Sequence, residues 1–352
     1  CMLQEGDTIS AHTLFTPKRI ISVVNNALNK EYKEGVDYQW IEGTNELRWL
    51  EGSSIPYFYE GALMGIKEEG SKEYVKNWDG SFDEAGRCRL GGVLYCVGPF
   101  VYQKQIAVTY EYDLAQAEEV AVTQYQGNKL PNFTQKLEKG EEAGILFYGS
   151  SSFQGADASA FHGRAPYMPI LSDLIGDYLN SNGMPASITN LGVGGWNTGA
   201  GLAALKGETS YTAGGQSRPV NGTDGKPVGD KYQKIAQAGD YDLVIIGFFA
   251  GNNYGVGIDA EQFKKDIEAM MEIFRGYNPK CDFLILTGMV TNPKDSYTPD
   301  YVRKAYEIAG QEHALVDMYK VHSDILKTKD FISTSGNNIN HGNDWLIRVT
   351  AQ

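Results

Sequence analysis

The sequence predicts an α/β domain with a mostly parallel sheet over residues 141–352, preceded by a β-rich sandwich domain over residues 1–140. Three observations carry this. From Ile145 onward, short apolar runs alternate with amphipathic stretches, the pattern of a parallel sheet covered by helices on both faces. Before residue 140 the periodicity is two: Ile106, Val108, Tyr110 and Tyr112 fall on one face, and Ala107, Thr109, Glu111 and Asp113 on the other. Between the two regimes lies a polar segment, 128–144, with Pro131 and a run of Lys and Glu that marks the boundary.

In the first domain, residues 37–41 and 46–50 flank Glu42-Gly43-Thr44-Asn45, whose Gly and Asn suit a hairpin. A strand is expected at 102–113 and another at 120–125, giving an antiparallel, jelly-roll-like sandwich. In the second domain, strands are expected at 145–148, 187–191, 243–249, 282–287 and 314–318. Asp259 is placed to cap a helix with Gln262 three residues on, after which Phe263, Ile267, Met270, Met271 and Phe274 recur on one face. These are core residues. Thr298 and Pro299 open the next helix and Gly310 closes it. The Gly-rich stretch 199–239 exceeds an ordinary connection and reads either as a lid or as an inert surface insertion.

Composition narrows the function classes. With 42% hydrophobic and 21% charged residues, the chain has a globular composition, and its apolar runs are too short for a membrane span of about 20 residues. The net charge of -13 argues against a nucleic-acid partner, which phosphate binding would supply with Lys and Arg clusters. The four cysteines show no metal-ligand spacing, and only Cys88 and Cys96 lie close enough to suggest a local pair. No basic, apolar leader precedes Cys1, so a signal peptide is expected to be absent or already removed, and the compartment, cytoplasmic or exported, stays open.

Four polar clusters follow strand-like runs or the last helix: Gly149-Ser150-Ser151, Asn190 to Gly195, Gly251-Asn252-Asn253 and Asn338-Ile339-Asn340-His341. On an open α/β sheet, functional groups gather at the carboxyl ends of the strands. A serine on the turn at 149–151 needs a base and a place for an oxyanion to act as a nucleophile. His341 is the candidate base, set in a polar loop, whereas His12, His162, His313 and His322 lie elsewhere along the chain. Glycines at 192, 194 and 195 let a backbone N–H approach a substrate oxygen. A dinucleotide fingerprint would need glycine at 197, which is Asn. Asn252, or alternatively Asn253, is placed to add a side-chain N–H.

Together these residues resemble the SGNH hydrolases, also called GDSL esterases, over residues 145–352. Gly149-Ser150-Ser151 with Gly155 resembles the first block and puts Ser151 in the nucleophile's place. Asn190, Gly192 and Gly195 resemble the second, and Ala250-Gly251-Asn252-Asn253 the third. The resemblance implies a flavodoxin-like three-layer domain, with Gly195 and Asn252 (alternatively Asn253) as oxyanion donors and no metal or organic cofactor. Asn338 to His341 resembles the last block, Asp-x-x-His, with Asn338 where the orienting acid belongs. Asn338, or a backbone carbonyl near it, is therefore expected to orient His341. The sandwich ahead of the domain resembles bacterial two-domain carbohydrate esterases. That implies O-acyl, above all O-acetyl, carbohydrate substrates, with Trp196 as an aromatic at the substrate site. A lipase or thioesterase acting on apolar acyl chains and a silent glycan-binding scaffold are the other readings.

Overall fold

The computed structural model describes residues 1–64, 89–90, 92–95, 99–120 and 123–352. Cys88 and Cys96, the suggested local pair, lie outside the described residues, as do residues 121–122 of the strand expected at 120–125. The rest of that segment is not strand.

Residues 1–64 form β1 (Met2–Glu5), β2 (Thr8–His12), β3 (Pro17–Asn25), β4 (Glu31–Tyr32), β5 (Tyr38–Trp40), β6 (Glu46–Trp49) and β7 (Tyr57–Phe58). A short pair, β8 (Arg89–Leu90) and β9 (Val93–Leu94), the helix α1 (Pro99–Gln103) and β10 (Ile106–Tyr112) follow. One sheet runs β5-β6-β2-β1-β7 and the other β10-β3-β4. Met2, Ala11, Val23, Tyr38 and Leu47, drawn from both sheets, share one core. The expected hairpin is present as β5 and β6, paired Tyr38 to Trp49. The sandwich is not purely antiparallel, because β1 pairs with β7 in parallel.

The α/β layer uses α2 (Pro131–Lys139), β11 (Ala143–Gly149), α3 (Leu171–Ser181), β12 (Ala186–Gly192) and α4 (Thr198–Lys206). A hairpin of β13 (Ser210–Ala213) and β14 (Gln216–Pro219) precedes α5 (Lys231–Ala238), β15 (Leu243–Gly247), α6 (Ala250–Gly255) and α7 (Ala260–Tyr277). The chain finishes with β16 (Asp282–Leu286), α8 (Thr298–Ala309), β17 (Ala314–Val316), α9 (Met318–Ile325) and α10 (Asp344–Ala351). The sheet is all parallel in the order β12-β11-β15-β16-β17. Numbered within the sheet this is 2-1-3-4-5, a doubly wound order whose direction reverses beside β11.

Why β11 reads as an unbroken apolar run is visible in its packing. Leu146 and Tyr148 join the core on the α4, α5, α7 and α8 side, whereas Ile145 and Phe147 join the core on the opposite side with α3, α9 and α10. A strand buried on both faces has no polar side to show. Asp259 caps α7 as its spacing predicts, accepting from the Gln262 N–H at 2.8 Å. Helix α2, in the segment expected to be a boundary, packs on the sheet: the Phe133 N–H donates to Asp282 at 2.8 Å and Lys136 Nζ to Asp242 at 2.8 Å. The 199–239 stretch is α4, the β13–β14 hairpin and α5, and its helices pack into the core with α7.

Candidate active site

Strand β11 ends at Gly149, and the chain turns at Ser150 to bring Ser151 out at the carboxyl edge of the sheet beside the reversal point. The turn is too tight for side chains. A Cβ on Gly149 would lie 2.2 Å from the Gly247 carbonyl oxygen, and one on Gly192 would lie 2.5 Å from Gln154 N. Glycine permits that backbone approach. Asn190 locks the turn to β12, with Nδ2 donating to the Phe153 carbonyl at 2.6 Å and to Ser172 Oγ at 2.8 Å. Phe153, 1% exposed, plugs the space beneath, edge-on to Phe147.

Ser151 Oγ lies 2.8 Å from His341 Nε2. His341 stands on a loop organised by Asn337, whose Oδ1 accepts the N–H groups of Ile339, Asn340 and His341 at 2.9, 3.0 and 3.2 Å. Ser335 Oγ closes the loop, donating to the His341 carbonyl at 3.0 Å and accepting from the Asn338 N–H at 2.9 Å. The loop is braced from outside. Gln105 Nε2 donates to the Ser335 carbonyl at 3.0 Å, and the Asn292 N–H donates to the Ile339 carbonyl at 2.8 Å.

The other ring nitrogen, His341 Nδ1, lies 2.5 Å from Asp157 Oδ2. Asn337 Nδ2 is also near it, at 3.1 Å, but that amide's orientation is fixed by its Oδ1 bonds, so it presents a donor. The carboxylate is the acceptor, which assigns the proton to Nδ1 and leaves Nε2 free to accept from Ser151. Asp157 is buried and sits at φ 63, a left-handed conformation that Asp tolerates better than most residues. Burial pushes its carboxyl up, but the imidazoles of His162 and His341, one beside each oxygen, more than offset this and hold it below the usual carboxylate range.

Asn338, expected to orient the histidine, is turned away from it. Its Nδ2 donates to the Leu94 carbonyl at 3.0 Å, and its Oδ1 accepts from Asn292 at 3.2 Å. The group on Nδ1 is Asp157, in the serine's own loop. The sequence does not reveal it because that loop has no periodicity, and the resembled block places the acid three positions before His341. The signal available was a single Asp six residues beyond Ser151. Ser150, where the resembled block carries Asp, has a buried hydroxyl with no partner among the described residues.

On the opposite side of Ser151 the turn after β12 carries Gly195 at φ 78. Among the described residues, neither the Ser151 nor the Gly195 N–H meets an acceptor. Asn252, in the first turn of α6, donates through Nδ2 to the Trp196 carbonyl at 2.9 Å, which keeps its second N–H available. Asn253 points the other way: fully buried, its Oδ1 accepts from the Thr198 N–H and hydroxyl at 3.0 and 2.8 Å. Trp196 is not a surface platform. It is 4% exposed, packs against Tyr148 and Tyr232, and donates its indole N–H to the Asn221 carbonyl at 2.7 Å.

A cavity of about 40 Å³ opens beside Ser151 and His341, lined by Phe248, Asn252, Ile285 and Met289 among others. Among the described residues, no group of His, Cys, Asp and Glu side chains is arranged to hold a metal ion, and no helix is long and apolar enough to cross a membrane.

No protein-family model matches the chain, and neither does any curated protein sequence. Among solved structures it is similar to a two-domain esterase active on acetylated mannans, co-crystallised with mannopentaose, at 18% identity and a TM-score of 0.46. That match covers 66% of this chain and 54% of the other, so the chain spans about half the length of that esterase. It is also similar to a putative GDSL-like lipase from Parabacteroides merdae, at 11% identity and a TM-score of 0.42 over 59% of this chain and 92% of that one. A lipase from a goat rumen metagenome matches at 13% identity and a TM-score of 0.41, over 59% and 94% of the two chains. The chemistry has to come from the site.

Proposed function

We propose that this protein is a serine ester hydrolase whose triad is Ser151, His341 and Asp157. The observation that carries the reading is the unbroken relay from Ser151 Oγ to His341 Nε2 at 2.8 Å and from His341 Nδ1 to Asp157 Oδ2 at 2.5 Å. His341 takes the hydroxyl proton as Oγ bonds to the ester carbonyl carbon, and Asp157 stabilises the imidazolium that forms. The oxyanion is received by the N–H groups of Ser151 and Gly195 and by the second N–H of Asn252. Collapse breaks the ester bond, and the leaving alkoxide recovers the proton from Nε2. Water then attacks the acyl-serine with His341 as base, releasing the acid and regenerating Ser151.

The favoured substrate class is a short O-acyl, above all O-acetyl, ester of a carbohydrate. Two observations support it. The cavity of about 40 Å³ holds a few water positions, at roughly 10–15 Å³ each, which is room for an acetyl group, and its apolar lining continues past Phe263, Ile267 and Tyr301. Beside Gly194, Gln154 Oε1 comes within 2.9 Å of where a Cβ would stand, a neutral acceptor suited to a sugar hydroxyl, with the Thr223 methyl at 3.3 Å.

The test is hydrolysis of 4-nitrophenyl acetate, butyrate and octanoate, together with acetate release from acetylated mannan and xylan, by the parent chain, Ser151→Ala and His341→Ala. Loss of turnover in both variants with acetate preferred is the expected result. Turnover that survives Ser151→Ala would overturn the serine mechanism, and preference for octanoate would move the substrate class to apolar acyl esters.

A further inference from the structure

Asp157 has two oxygens and only one of them faces His341. The other, Oδ1, lies 3.2 Å from Nε2 of His162, with the two side chains 4% and 8% exposed. Neither Oδ1 nor His162 Nε2 has an aligned hydrogen bond to anything among the described residues, and the two buried atoms face each other at 3.2 Å. The pair is within hydrogen-bond distance but not in line for a hydrogen bond, so a rotation of one or both side chains is needed to align it. His162 belongs to the same loop as Ser151 and Asp157. Its N–H donates to the Ala158 carbonyl at 3.2 Å, the Arg164 N–H donates to the Ser159 carbonyl at 2.9 Å, and the ring rests edge-on to Phe161.

Resting on the triad reading above, we propose that His162 is a positioning residue for the same reaction: its Nε2–H pins Oδ1 of Asp157 so that Oδ2 stays on His341 Nδ1. A buried carboxylate with one oxygen unmatched is costly and free to swing. With one imidazole on each oxygen it can do neither. The neighbouring Asp344, which accepts the Ser159 N–H at 2.9 Å, fixes the backbone of this loop and leaves Oδ1 to His162. His162 reaches Ser151 only through Asp157 and His341, so it affects the rate without touching the substrate.

The experiment is steady-state hydrolysis of 4-nitrophenyl acetate by His162→Phe, His162→Gln and Asp157→Asn, and by the double variant of His162→Phe with Asp157→Asn. Expected is a fall in kcat of about tenfold or more for His162→Phe with KM unchanged, and substantial recovery in His162→Gln, whose amide keeps a donor. In the Asp157→Asn background His162→Phe should have no further effect, because the group it acts through is gone. Added imidazole restoring kcat to His162→Gly gives an independent readout if the Phe ring disturbs folding. Unchanged kcat in His162→Phe, or the same fold-loss in both backgrounds, would overturn the role of His162 while leaving the triad standing. Full activity in Asp157→Asn would overturn the triad reading itself, and this inference with it.

Discussion

Asp157 and His341 are 184 positions apart in the chain and meet at 2.5 Å, nearer than any other polar contact either side chain makes. The acid thus comes from the loop of the serine. Asp157→Asn should lower kcat by about 10⁴, chiefly by presenting the wrong donor to Nδ1, with little change in KM. Steady-state kinetics on an aryl acetate measures it.

Asn338→Asp should not help. The new carboxylate would face the Leu94 carbonyl where Nδ2 now donates, replacing a buried hydrogen bond with a repulsion worth about 1–3 kcal/mol. A lower Tm without any gain in kcat is expected, and a faster enzyme would contradict the placement of this side chain.

The two adjacent asparagines should separate cleanly. If Asn252 is the proposed oxyanion donor, Asn252→Ala should lower kcat by about 10²–10³. Asn253→Ala opens a buried network in which the single Thr198 hydroxyl proton is shared between Asn253 Oδ1 at 2.8 Å and Asp266 Oδ2 at 2.7 Å, so its signature is a fall in Tm of the whole fold. Melting curves beside kinetics for both variants distinguish the effects.

Gly336→Ala tests how closely the two loops must fit. A Cβ there would stand 2.4 Å from the Asp157 carbonyl oxygen, and a left-handed Asp157 has little room to retreat. A displacement on the order of 1 Å at the triad should cost about 10²-fold in kcat. Wild-type kcat in this variant would show that the loops can part without harm.

Acid sensitivity should trace to His322 rather than to the triad. This histidine is fully buried; its Nδ1 accepts from the Val290 N–H at 3.1 Å and its Nε2 is 2.8 Å from Thr334 Oγ1. Burial pushes it down to about 4. Unfolded, it titrates near 6.5, so between about pH 6.5 and 4 the unfolded chain holds a proton that the fold refuses. Stability therefore falls as pH is lowered through that window, by about 3 kcal/mol in total. His313, also lowered by burial, acts in the same direction, whereas His12, raised by its bond to Asp330, contributes stability that is present at low pH and lost as pH rises. Asp157, held low, loses its contribution only below the carboxylate range. Urea midpoints at pH 7 and pH 5 for the parent and His322→Gln isolate the effect: the dependence should flatten in the variant.

Much of the α/β layer was legible because its signals are local. A run such as Ile145 to Tyr148 admits little but a strand buried on both faces, and Asp259 with Gln262 admits little but a helix start. The meeting of Ser151 and His341 was legible through the strand end that carries the serine and through the polar loop Asn337 to Asp344, which resembles the last block of the SGNH hydrolases. What escaped was set by tertiary context. Trp196 looks the same in sequence whether it stacks on a ligand or on Tyr148 and Tyr232, and it stacks on the tyrosines. The partner of His341 depends on how a loop without periodicity folds back on itself, which no spacing rule reports. The parallel pairing of β1 with β7 joins elements some fifty residues apart and leaves no local trace.

Ser151 and Asp157 ride on one loop, so any shift of that loop carries nucleophile and acid together and preserves their mutual distance. Aligning three groups is thereby reduced to aligning two bodies: a loop already holding two of them, and the Asn337-organised turn that brings the imidazole. Tolerance to drift elsewhere in the sheet follows, since only the seam between these two bodies has to be kept in register for all three groups to meet.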